Sequence, residues 1–352
     1  MPAIANTLRR LNPWHKGNHL TLEPWNLDGP PPPPRISISA AYGLLVLYAL
    51  SYFVPFYLSK ATRPSPTLSR DAPSVIRARI RFVTLSCLAC TVVTYQVLTR
   101  AGGTTPLEAL HLLGLWPVAL RDSLRVLFLT ALLFAGPLYS CLIVERGWAD
   151  WVRLQPLVEV WEEWTTWRNI VAGPVTEEVL FRAASIPLVL LARVPPPATV
   201  FLTPVVFGLA HVHHYYEFRL TRPDVPAAAS LLRSAFQFAY TTLFGAYATF
   251  LFLRTGSLAA VCAVHAFCNC MGLPQLWGRV DPPLDVAAAA AAEAAGVPLS
   301  RRPRPSILWT VVYYVLLVAG AVLWYRNLWV LSESENALLP SSAFDASVPS
   351  SA

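Results

Sequence analysis

Charge is what this 352-residue sequence has least of. Asp, Glu, Lys and Arg together make up 13% of it, about half the 25% typical of soluble domains. Lysine is nearly missing, with only Lys16 and Lys60. There is no Asn-x-Ser/Thr glycosylation acceptor, no His-Glu-x-x-His zinc helix and no Gly-x-Ser-x-Gly serine elbow. No Asp lies within an apolar run, so an aspartyl dyad at membrane depth is excluded. The six cysteines (87, 90, 141, 262, 268 and 270) all fall inside apolar segments, and structural disulfides are not expected. Residues 1–35 are polar and end in the run from Gly29 to Pro34. A cleavable signal peptide is therefore not expected, and the first apolar run would serve as its own insertion signal.

What is abundant is apolar: 55% of residues are hydrophobic and the mean hydropathy is +0.47. Soluble, fibrous, disulfide-stapled and disordered classes are excluded as the main description. Crossing about 30 Å of hydrocarbon takes roughly 20 helical residues. Candidate runs lie near 36–58, 82–98, 124–144, 168–191, 199–216, 232–253, 256–273 and 307–326. The expected fold is all-α, a polytopic membrane protein with about eight transmembrane helices around a polar catalytic cavity. Its parts would be a polar Pro-rich segment (1–35), a membrane-embedded domain (36–330) and a disordered Ser-rich tail (331–352). Thr105 to Leu120 is too short to span and reads as interfacial or re-entrant. Trp148 to Trp167 mixes tryptophans with Glu159, Glu162 and Glu163 and reads as a membrane-surface helix. Residues 281–300, with Ala287 to Ala292, read as a loop. The net charge of +7 is spread between the apolar runs, which suits a membrane surface and not nucleic acid. Arg and Lys favour the loops after the first, third, fifth and seventh runs, which would then be cytosolic, with both termini luminal.

An ionisable group at bilayer depth is costly, so those that occur mark function or structure. Glu177 and Glu178 form the one deeply placed acidic pair, just after Gly173 and Pro174. Glu178 and Arg182 are four apart and share a helix face, while Glu177 is turned away by about 100°. Glu178 and Arg182 should form an ion pair, and Glu177 needs a partner from another helix. The histidines are the expected partners. Phe207 and His211 sit four apart on the fifth run, and His265 and Asn269 four apart on the seventh. Together these turns supply a carboxylate, imidazoles and a carboxamide, the parts that activate water and hold an oxyanion. His213, His214 and Glu217 are explained by a wet interfacial position, and Tyr215 and Tyr216 by an aromatic belt. The same residues leave open a structural network or a proton relay in a transporter or scaffold. Zinc on His211, His265 and one Glu also fits by residue type, although Asn269 argues against it.

Glu177-Glu178-x-x-x-Arg182, Phe207-x-x-x-His211 and His265-x-x-x-Asn269, in that order, resemble the CAAX prenyl protease 2 family, the Ras-converting, type II CAAX endopeptidases among the membrane glutamate proteases. The motifs span roughly 95 residues and match the family pattern without departure. The resemblance implies an endoplasmic reticulum enzyme, multi-pass, with its active site open to the cytosol. Such an enzyme removes the C-terminal tripeptide from farnesylated or geranylgeranylated CAAX proteins such as Ras-like GTPases. By motif position, Glu177 and His211 would activate water, and His265 and Asn269 would form the oxyanion hole. Glu178 and Arg182 would support the site, and Phe207 would shape the pocket wall or orient His211. No cofactor is implied. A related membrane protease acting on non-prenylated substrates, or a zinc-dependent version of the same site, are the alternative enzymes.

Overall fold

A computed structural model describes residues 33–65, 68–283 and 305–345. Nearly all of the N-terminal polar segment, and the alanine run from Ala287 to Ala292, lie outside them. The described residues form helices and no strand, as lipid demands of a chain that must satisfy its own backbone groups.

Helix α1 (Ile38–Phe53) starts where the Ser37 side chain accepts from the Ala40 amide, a side-chain N-cap. It runs on through Pro55–Leu58. Helix α2 (Pro73–Arg100) opens on a proline, whose missing N–H loses nothing in a first turn. Helix α3 (Leu120–Leu133) bends by 82° into the segment Ala135–Val144. Helix α4 is the short piece Gly173–Glu178, followed by α5 (Pro196–Ala210) and α6 (His213–Thr221). Helix α7 (Ala227–Thr255) leads into α8 (Leu258–Met271), capped by the Ser257 hydroxyl. Helix α9 (Leu308–Leu331) completes the bundle.

Four helical stretches are long and apolar enough to cross a membrane: Ile38–Leu58, α2, α7 and α9; the bent pair from α3 makes a fifth if counted as one span. The expected count of about eight is not confirmed. The run 168–191 is broken into α4, the segment Ile186–Leu191 and two π-helical turns, Arg168–Ala172 and Val179–Ala184. The run 199–216 is split between α5 and α6, and the run 256–273 yields the 14-residue α8. Apolar composition does not distinguish a segment bathed in lipid from one surrounded by other helices. Residues 180–192 are buried almost throughout, and that enclosure lets the Pro174- and Pro187-bearing segments interrupt their helix inside the membrane domain.

The flanking segments also differ in detail from expectation. Thr105 to Leu120 contains a helix, Pro106–Leu112, closed by a reciprocal Thr105/Glu108 capping box, and its Ala109 and Leu113 enter the main core cluster. The Trp148 to Trp167 stretch is three short helices instead of one, with Trp148, Trp151 and Trp161 exposed. The described part of the Ser-rich tail does not hang free. Leu338 and Leu339 are buried in the core, and their amides donate to the Leu253 carbonyl at 2.8 and 3.3 Å.

Helices α5 and α7 approach closely because Gly245 has no side chain. A Cβ there would lie 2.7 Å from Pro204 Cβ and 3.2 Å from both Arg182 Nη2 and Phe207. Gly245→Ala is expected to destabilise the protein by about 1–3 kcal/mol, the usual effect of overpacking. A lowered Tm in detergent, with activity falling alongside it, is the readout.

Candidate active site

The interrupted segment around α4 positions the acids. Pro174 occupies the first turn of α4, and a π-helical turn lies on each side, a distortion that recurs at functional sites. Gly173 fits where a side chain would crowd the backbone, since a Cβ there would sit 2.9 Å from the Arg168 carbonyl.

The two acids part company as the helical spacing requires. Glu178 is fully buried and Arg182 is 1% exposed; Arg182 Nη1 donates to Glu178 Oε1 at 3.0 Å. Arg182 Nη2 donates to the Gly245 carbonyl at 3.2 Å, and the guanidinium stacks over the Phe207 ring, 4.7 Å from its centroid. Glu178 does more than pair with Arg182, because the same Oε1 lies 2.7 Å from His265 Nδ1. A carboxylate can only accept, so this contact fixes the proton on Nδ1 of His265.

Glu177 faces the other way, with its side chain 20% exposed. Its Oε2 lies 4.0 Å from His211 Nε2 and 3.9 Å from His265 Nε2. Both separations exceed a direct hydrogen bond and suit a bridging water. His211 is oriented from behind: its Nδ1 donates to the Phe207 carbonyl at 2.8 Å, and its ring meets the Phe207 ring edge-on at 4.7 Å. In the neutral imidazole this leaves the Nε2 lone pair facing Glu177. Phe207 thus acts on His211 through its backbone oxygen and ring and takes no part in lining the cavity.

Asn269 is exposed, and its Nδ2 donates to the Asn169 carbonyl at 2.8 Å. That bond fixes the carboxamide and leaves its second N–H available. Glu177, His211 and Asn269 all border one open cavity, together with Tyr52, Thr176 and Phe181. His265 does not line this cavity; it stands one layer behind Glu177. The structure therefore brings all seven expected residues into one neighbourhood, three of them at the cavity wall.

Several participants carry no signal in the sequence. Tyr52 reaches across from α1, its hydroxyl 3.0 Å from Thr176 Oγ1. Arg70, Arg79 and Arg168 also line this cavity. Glu217, expected at a wet interface, is buried and clamped by Arg79 at 2.6 Å and Arg70 at 3.1 Å. Burial alone would raise its carboxyl, but His214 and the guanidinium groups of Arg79 and Arg70 override it and hold the group well below the usual carboxylate range. His213, His214 and Glu217 are the one group of three potential metal ligands found among the described residues, and the two guanidinium groups on Glu217 oppose a cation there. All six cysteines are free.

Fold and site define a polytopic, all-helical membrane enzyme. The family model described as type II CAAX prenyl endopeptidase Rce1-like matches residues 159–271, a range that contains every motif named above. The probable CAAX prenyl protease 2 of Schizosaccharomyces pombe is 32% identical over 295 residues, covering 84% of this chain and 94% of that protein. The CAAX prenyl protease 2 of Homo sapiens is 36% identical over 245 residues, covering 67% and 71%. That of Caenorhabditis elegans is 43% identical over 125 residues, covering 33% and 45%. No solved structure matches the chain significantly. The chain belongs to the type II CAAX prenyl endopeptidase family.

Proposed function

We propose that this protein hydrolyses the peptide bond after the prenylated cysteine of CAAX proteins, releasing the C-terminal tripeptide, with farnesylated or geranylgeranylated GTPases of the Ras type as substrates. The observation that carries the reading is the position of Glu177 Oε2, within 4.0 Å of an imidazole Nε2 on each of two other helical segments and at the wall of an open cavity. Water held between Glu177 and His211 donates one proton to each acceptor. Glu177 takes a proton as the water oxygen attacks the scissile carbonyl. The oxyanion that forms is met by the free N–H of Asn269 and by Nε2–H of His265. Collapse returns the proton from Glu177 to the leaving amine, so carboxyl and amine products balance the water consumed.

Because Nδ1–H of His265 is committed to Glu178, donation from Nε2 requires a ring carrying both protons. One observation supports a second role for His265: it lies behind Glu177 and not at the cavity wall, where its Nε2–H would orient the Glu177 carboxylate. His265→Gln separates the two. An oxyanion donor lowers kcat with the acid limb of kcat/KM unmoved, whereas an orienting partner of Glu177 also displaces that limb.

The loop between α1 and α2 borders the cavity through Arg70. By its Arg and Lys content that loop would be cytosolic, so the site would open to that side of an endoplasmic reticulum membrane. The prenyl chain would stay in lipid, contributing about 0.8 kcal/mol per buried methylene, while the peptide enters the polar cavity. Purified protein incubated in heavy-oxygen water with a farnesylated CAAX peptide is expected to release a tripeptide and to label the new carboxyl of the prenylcysteine. The reaction is expected to proceed unchanged in phenanthroline; inhibition reversed by zinc would replace this water-activation scheme with a metal one.

A further inference from the structure

The cavity wall carries an excess of guanidinium groups that peptide hydrolysis itself does not require. Arg70, Arg79 and Arg168 border the cavity, and the acids paired with them are Asp71 and Glu217. Arg79 is committed: it donates to Glu217 at 2.6 Å and to the Thr62 carbonyl at 2.9 Å, and it lies 4.8 Å over the Phe56 ring. Arg168 and Arg70 are the more accessible pair, with side chains 23% and 38% exposed; Arg70 holds Glu217 through Nη1 alone at 3.1 Å and turns its Nε toward Asp71. Between them sits Asp71, 2.7 Å from Arg168 Nη1 and 3.8 Å from Arg70 Nε. Its own side chain is 54% exposed. A solvent-exposed ion pair of that kind contributes about 0–1 kcal/mol, so Asp71 is easily displaced by a better-placed carboxylate.

Arg168 is also tied to the reacting centre. Its neighbour Asn169 accepts the Asn269 carboxamide through its backbone oxygen and receives Arg168 Nε on its side-chain oxygen at 3.0 Å. The π-helical turn beginning at Arg168 leads directly into the helix that bears Glu177. A tripeptide in extended form reaches roughly 10 Å, and its far end is a carboxylate, the group a planar guanidinium grips best. On the reading that this site releases a C-terminal tripeptide, we propose that Arg168 and Arg70 receive the free α-carboxylate of the substrate, which takes the place of Asp71, and so restrict cleavage to the chain's end.

The test uses the full-length protein in detergent and two farnesylated peptides that differ only in a C-terminal carboxylate or carboxamide. The carboxylate peptide is expected to have kcat/KM about ten- to a hundred-fold higher, the range of a charge-assisted hydrogen bond, expressed through KM. Arg168→Gln should bring that ratio close to one by raising KM far more for the carboxylate peptide than for the amide, and an unchanged melting curve in detergent reports an intact fold. Asp71→Asn, which frees the guanidinium groups, should move the ratio the other way. Equal rates for the two peptides with the parent protein overturn the proposal and leave the hydrolase reading standing, as does an Arg168→Gln protein slowed equally on both. Should Arg168→Gln fail to fold, an Asp71→Asn ratio no higher than the parent's overturns it. Release of product from neither peptide overturns the hydrolase reading itself.

Discussion

The Glu177→Gln protein is expected to fold normally and to lose tripeptide release by about 10²–10⁴-fold in kcat, the contribution of a positioned general base. Fold and function separate here because Glu177 holds nothing together. Its nearest imidazole nitrogens are 3.9 and 4.0 Å away, and its side chain is partly open to the cavity. Glutamine keeps the shape and the oxygen acceptor but cannot accept the proton. Single-turnover hydrolysis of a farnesylated peptide, beside an unchanged melting curve, is the measurement. A Glu177→Gln protein cleaving at the parent rate would remove Glu177 from the mechanism.

Removing its neighbour should have the opposite balance. Glu178→Ala is expected to destabilise the protein by about 3–5 kcal/mol, since breaking a buried pair leaves a charge without compensation. Arg182, 1% exposed, would retain only the Gly245 carbonyl and the faces of Phe207 and Phe244. His265 would lose the acceptor that fixes its Nδ1 proton. Thermal unfolding in detergent reads the loss. The double replacement Glu178→Leu with Arg182→Met is expected to recover much of the stability, because an apolar pair of similar volume avoids desolvating either charge. Activity should not return, as His265 is still unanchored. Full activity in the double variant would show that the pair serves packing alone.

Helical spacing made part of this site legible beforehand. A spacing of four positions from Glu178 to Arg182 placed them on one face, and they stand 3.0 Å apart. The same interval lets the Phe207 carbonyl accept from His211. What spacing did not convey is that one oxygen of Glu178 serves both Arg182 and His265, since that contact joins residues 87 positions apart. Nor did it separate His265 from the cavity wall that Asn269 reaches. Arg70 lies outside the apolar runs and Arg168 at the first position of one, and neither follows a period with the motif residues, so only the folded chain sets them at one cavity.

The hydropathy scan shows the same boundary. It located α1, α2, α7 and α9 but could not tell that the apolar run holding Glu177 is interrupted and enclosed, because lipid and a surrounding of helices select the same side chains. Sequence by itself determined the membrane class, the helical content and which polar residues share a helix face, all consequences of composition and of a 3.6-residue turn. Tertiary structure alone decided which faces meet, where the apolar runs break, and that Glu177 opens onto a cavity while Glu178 is sealed. Those outcomes depend on how closely α4, α5, α7 and α8 approach one another, a distance set by contacts such as Gly245 against Pro204 that no local pattern encodes.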